Sequence, residues 1–119
     1  MYGMFGPYSQ WDGKPLPERP LFYEDVNEMS SYFLTKCDEE VQAIKNAIIK
    51  ATGVDLEAVW PLRLNLKKVY GDIVGDNRTL MLAMRTNRAY ATIRTPLKQV
   101  EAKGDVKGGF VPDVDHRFF

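Results

Sequence analysis

The stretch from Asp25 to Gly53, DVNEMSSYFLTKCDEEVQAIKNAIIKATG, constrains this chain more than any other. Val26, Met29, Phe33, Cys37, Val41, Ile44, Ile48 and Ala51 recur at steps of three and four. At about 100° per residue that spacing stacks them along one side of a helix. Leu34 and Ala47 flank the stripe, and Glu28, Ser31, Thr35, Glu39, Gln42, Asn46 and Lys50 fall opposite. Asp25 with Glu28 three residues later reads as a capping box, and Gly53 as a left-handed stop. The spacing predicts one helix of roughly 27 residues, about 40 Å long, whose apolar side something must cover.

Ahead of the helix, MYGMFGPYSQWDGKPLPERPLFY carries Pro7, Pro15, Pro17 and Pro20, which exclude a regular helix and favour extended chain. It also carries Tyr2, Phe5, Tyr8, Trp11, Phe22 and Tyr23, an aromatic load foreign to disordered tails. Such rings need a surface to lie on, either their own domain or a neighbour's. Past the helix, LRLNLKKVY alternates Leu62, Leu64 and Leu66 with Arg63, Asn65 and Lys67, the period of a half-buried strand, with a bulge near Lys67–Lys68. GDNR at 75–78 signals a turn into a second strand, Thr79 to Arg85. After a turn at Asn87–Arg88, the alternation of Ala89, Ala91 and Ile93 marks a third strand ending before Pro96. Leu97 to Lys103 fits a fourth edge strand or a short helix.

The fold class expected from this pattern is α+β. One long amphipathic helix packs on a three- to four-stranded antiparallel β meander, in a single domain over 24–103. Extended arms flank it, the Pro/Gly/aromatic segment 1–23 and an irregular tail at 104–119. The expected core draws on Phe33, Val41, Ile44, Ile48, Leu62, Leu64, Leu80, Leu82 and Ile93.

Composition narrows the function classes. Sixteen basic side chains balance sixteen acidic ones, so net charge argues for neither nucleic acid nor membrane. The charges are unevenly spread: Met1–Val59 holds five basic and ten acidic residues, Trp60–Phe110 ten basic and four acidic. Cys37 is the single cysteine, which forbids an intrachain disulfide and reads as a small core residue on the apolar stripe, not a nucleophile. No signal peptide is visible, and the longest apolar run, Leu80–Met84, is far below the roughly 18 residues of a membrane span. A soluble, cytoplasmic protein is expected. His116 stands beside Asp113 and Asp115, but a metal would need further ligands on a rigid support. Gly71–Gly75 and Gly104–Gly109 lack the strand-to-helix context of a phosphate loop. No enzyme, cofactor or metal is expected.

The remaining features suggest a structural or adaptor subunit whose partners are other protein subunits, in a homo- or hetero-oligomer. Phe5, Tyr8, Trp11, Phe118 and Phe119 would anchor its arms, because large aromatics carry most interface energy. Tyr32 and Ile49, apolar on the otherwise polar helix face, mark a contact patch. The alternative is a nucleic-acid-binding module using a basic sheet face of Arg63, Lys67 and Arg94, with Tyr90 as a stacking platform. Over about residues 41–96, the order of helix, Trp60-Pro61-Leu62-Arg63 and β meander resembles small baseplate and neck proteins of tailed phages. It departs from the Glu-Pro-Arg signature of the sheath-initiator group, having no glutamate there. The resemblance implies a virion component, with the virion as its location.

Overall fold

In the computed structural model, residues 11–105 and 107–112 are described. They form α1 (Glu28–Thr52), α2 (Leu62–Tyr70), α3 (Leu80–Arg85), β1 (Leu97–Val100) and β2 (Gly109–Pro112), with 3-10 turns at Gly71–Ile73 and Arg88–Tyr90. The long helix is present, with 25 residues. Its cap is Asn27 rather than Asp25: the Asn27 Oδ1 accepts from the Ser30 backbone N–H at 2.9 Å and from the Ser30 hydroxyl at 3.0 Å. Asp25 turns back instead, its carboxylate accepting from the Leu21 N–H at 2.7 Å. Gly53 ends the helix at φ 70°, its N–H donating to the Ile49 carbonyl, a backbone shape that costs glycine nothing.

The meander is absent. Among the described residues the one sheet is the antiparallel pair β1–β2, with Leu97 opposite Pro112 and Val100 opposite Gly109. The segments read as the first two strands are the helices α2 and α3. In a window as short as LRLNLKKVY, the alternation of leucines coexists with the four-residue spacing Leu62–Leu66–Tyr70, and the longer period wins. Leucine, arginine and lysine favour helix, and Val69 is the one β-branched residue there. In α3, LMLAMR has no β-branched residue at all. Thr79 caps it by accepting from the Leu82 N–H at 3.2 Å. The third expected strand becomes a 3-10 turn and a strap whose single bridge joins Arg94 to Leu21.

The position of the core follows from this substitution of helices for strands. A sheet would have run the length of α1, whereas α2 and α3 are only about 14 and 9 Å long. They gather Val26, Leu66, Val74, Leu80, Ala83 and Met84 into a core, with Tyr23, Leu34, Leu62, Tyr70, Met81 and Tyr90 around it. The face that α1 turns inward is Ser30, Leu34, Asp38, Gln42, Lys45 and Ile49, about 100° round from the apolar stripe. Phe33 is therefore 55% exposed and Ile44 59% exposed, and Val41, Ile48, Leu64 and Ile93 are also exposed, against the core expected of them. Leu80 is buried, and Leu62 and Leu82 are half-buried.

A second cluster joins the ends of the described chain. Leu16 and Leu97 are buried together, with Trp11 and Phe110 packed against them. Leu16 and Phe110 exchange backbone hydrogen bonds of 2.7 and 2.8 Å, which lengthens the sheet by one bridge. Gly109 sits so close to this bridge that any Cβ would collide with the Leu16 carbonyl.

Candidate functional site

Among the described residues, two of the places that gather polar or titratable side chains adjoin α1 and the segment leading into it. The first is the strap that ties the segment before α1 to the residues after α3. Thr95, fully buried, donates to the Pro20 carbonyl from both its N–H (2.9 Å) and its hydroxyl (3.1 Å). The Phe22 N–H donates to the Ile93 carbonyl at 2.6 Å, and the Glu24 carboxylate accepts from the Thr92 N–H at 2.7 Å. Thr92 is held at φ 64°, a conformation that costs a β-branched residue of order 1–3 kcal/mol. Inside the strap, Tyr23 stacks on Tyr90 with centroids 4.0 Å apart, and Tyr90 meets Tyr70 edge-on at 5.2 Å. Burial holds the Tyr23 phenol above its ordinary range. Burial, then a hydrogen bond with the Tyr70 side chain, raises Tyr90 further. These phenols stay neutral at ordinary pH; they can donate hydrogen bonds but not act as bases.

The second place is an open groove of about 410 Å³ between α1 and the start of α3. Glu28, Ser31, Tyr32, Thr35, Lys36 and Glu39 line it from α1, and Thr79 and Met81 from the other wall. Spacings of three, four, seven and eleven put the α1 residues on one flank. Lys36 Nζ lies 2.7 Å from the Glu39 carboxylate and 5.8 Å from the Tyr32 ring centre. That partner raises the Lys36 pKa, so the ammonium stays charged, able to donate to an anion or carbonyl but not to abstract a proton. Tyr32 is the groove residue that sequence patterning marks as a contact, an aromatic on a polar face, and Glu28 reads there as a helix cap. The others read as an ordinary solvated flank, and only the position of α3 makes them a wall.

The scaffold between these places is polar as well. Pro61 offers α2 no side-chain cap, and Asp38 of α1 supplies one, its carboxylate accepting from the Leu62 N–H at 2.9 Å. Asn87 is buried at the bridge to Val74, where its Oδ1 accepts from the Ala89 N–H at 3.0 Å. Among the described residues, no three histidine, cysteine, aspartate or glutamate side chains converge as a metal would require. No helix there is long and apolar enough to cross a membrane.

Of the proposed arm anchors, Phe5, Tyr8, Phe118 and Phe119 lie outside the described residues, as does His116. Trp11 packs on its own chain, and its indole N–H donates to the Lys14 carbonyl. Arg63 and Lys67 stand on α2, not on a sheet, and each places its cationic head on a backbone carbonyl: Asn77 at 2.6 Å and Gly71 at 3.0 Å. Arg94 lies in the strap and donates to the Arg19 carbonyl at 2.6 Å. The structure does not gather the three on one sheet face.

Comparison with known proteins supplies what local geometry does not. Residues 9–119 match the family described as NAD/NADP octopine/nopaline dehydrogenase, alpha-helical domain. An uncharacterized protein of Sinorhizobium fredii is 40% identical over 97 residues, 82% of this chain and 26% of that protein. Octopine dehydrogenase of Pecten maximus is 34% identical over 116 residues, 97% of this chain and 28% of the enzyme. A solved octopine dehydrogenase described with NADH and L-arginine superposes at a TM-score of 0.81, with 34% identity over 98% of this chain and 28% of that one. Two further structures, described with NADH and agmatine and with NADH and pyruvate, superpose at 0.81 and 0.72. This chain thus spans about a quarter of the length of its relatives. The matches overturn the expectations of a non-enzymatic assembly subunit, a virion component and a nucleic-acid binder. Those rested on a meander that is not there and on a search for catalytic motifs within a chain that spans only about a quarter of the length of the dehydrogenases it matches.

Proposed function

This chain belongs to the octopine/nopaline dehydrogenase family through its alpha-helical domain, and we propose that it serves as that domain in a nicotinamide-dependent opine dehydrogenase. The observation that carries the reading is the continuous match over 9–119, supported by the TM-score of 0.81 at 34% identity across 98% of the chain. The described residues do not themselves fit a dinucleotide. Their sheet is a single antiparallel pair, whereas a dinucleotide site needs a parallel strand, a glycine-rich turn and a helix N-terminus against the pyrophosphate. The cofactor site therefore belongs to a part of the enzyme outside these residues. The helical domain's share is to complete the walls of the substrate site, work suited to rigid helices carrying polar grooves.

The substrates to test first are those held with NADH in the octopine dehydrogenase structures: L-arginine or agmatine, and pyruvate. The natural gene product, purified and given NADH and pyruvate, is expected to consume NADH only when an amine of this kind is also present. NADH left untouched with every amine and keto acid pair supplied would refute the reading.

A further inference from the structure

A smaller open cavity, of about 270 Å³, lies where the lead into α1, the strap and β2 meet, and Glu18, Arg19, Arg94 and Phe110 line it. Its walls are set by the backbone. Residues 16–21 are held at both ends by bridges, Leu16 to Phe110 and Leu21 to Arg94, and Pro17 and Pro20 fix φ between them. Arg94 donates one guanidinium N–H to the Arg19 carbonyl at 2.6 Å, which orients the fork and leaves its other donors for a ligand. The Arg19 guanidinium carbon lies 5.9 Å from the centre of the Phe110 ring. Among the described residues, neither arginine nor Glu18 forms an ion pair. Two cations and one anion thus line a small space without pairing inside it.

We propose that this cavity binds a free α-amino acid with a small aliphatic side chain. Two guanidinium groups against one carboxylate leave the site with an excess positive charge, which selects an anion, and the planar fork suits a carboxylate. Glu18 narrows the choice. Its carboxylate repels a phosphate or a dianion and offers a seat to an ammonium placed beside the ligand's own carboxylate. A free amino acid carries both groups on one carbon, and Phe110 supplies an apolar floor for its side chain. Size agrees: cavities for drug-sized ligands run about 300–1,000 Å³, so 270 Å³ suits something smaller. Binding here requires neither cofactor nor turnover, and so holds independently of the dehydrogenase reading.

The test titrates the natural gene product, without NADH, with L-leucine by isothermal calorimetry. Isopentylamine, which lacks the carboxylate, and isocaproate, which lacks the ammonium, are titrated alongside. L-Leucine is expected to bind saturably at one site per chain, at least about tenfold more tightly than either analogue. Glu18 and Arg19 are exposed, so substitutions there spare the fold. Arg19→Gln should weaken L-leucine about tenfold or more. Glu18→Gln should weaken L-leucine yet tighten isocaproate severalfold, because it removes a like charge; a loss of folding would weaken both. No saturable binding of L-leucine, isopentylamine bound as tightly as L-leucine, or an affinity unchanged by either substitution overturns the proposal. The NADH assay above is read separately. An inactive protein that binds L-leucine in this way would sink the dehydrogenase reading alone, and an active one that does not would sink this proposal alone.

Discussion

The two halves of α1 share one sequence pattern and live in different surroundings. From Glu28 to Asp38 the helix is tied down. Ser30 is buried beside its cap, Leu34 packs on the core, and Asp38 caps α2. From Glu39 to Thr52 the apolar residues continue at the same spacing, but the chain beside them is the loop 53–61, exposed apart from half-buried Leu56. Lys45 donates to the Val59 carbonyl at 3.0 Å, and Lys68 covers the Trp60 ring at 3.7 Å. Amphipathicity states that a face will be covered. It names neither the cover nor the angle from which that cover arrives.

The sharpest way to break this contrast is to truncate one residue from each environment. In the 119-residue chain, Leu80→Ala is expected to cost about 2–5 kcal/mol, as buried leucines do. Ile44→Ala is expected to stay within about 0.5 kcal/mol, as exposed side chains do. Chemical denaturation of both variants measures this, and equal losses would show that the outer half of α1 is packed after all.

A smaller effect sharpens the boundary between the halves. Asp38→Ala should cost about 1 kcal/mol by uncapping α2, with Asp38→Asn recovering most of it. Its exposed neighbour pair Lys36–Glu39 is screened by solvent, so Glu39→Ala is the control. Indistinguishable melting temperatures for Asp38→Ala and Glu39→Ala would remove the capping role.

The smallest effect lies outside the neutral range. Burial keeps the Tyr23 and Tyr90 phenols above their ordinary pKa of 10.0. The stability they contribute is therefore fully present below pH 10 and drains away as pH rises through the raised folded-state values. Tyr90→Phe, which cannot ionise, should flatten that alkaline decline. A decline of unchanged steepness in a pH series of denaturation curves would place the sensitive groups elsewhere.

How much of this was legible beforehand differs from element to element. Helix α1 and its glycine stop were readable because 25 residues hold seven turns, enough for a 3.6-residue period to separate from every other. Leu97–Val100 was open between strand and helix, and pairing with Gly109–Pro112 made it a strand. Helices α2 and α3 were misread because nine and six residues fit both periods, and the stronger indication was propensity: leucine, methionine and alanine with almost no β-branching. The groove beside Tyr32 was illegible, since its second wall comes from Thr79 and Met81, some forty residues downstream.

By itself the sequence determined local things: one long amphipathic helix, its glycine stop, and a bend in the chain around residues 75–78. These depend on backbone preferences and side-chain spacing that act over one or two turns. Only the tertiary structure decided that α1 turns Leu34, Asp38 and Gln42 inward and leaves Phe33 and Ile44 in the open. That choice is made by what packs beside the helix. Two short helices and a strap cover a different and smaller strip than a sheet would, so the same stripe that predicts a core becomes a surface.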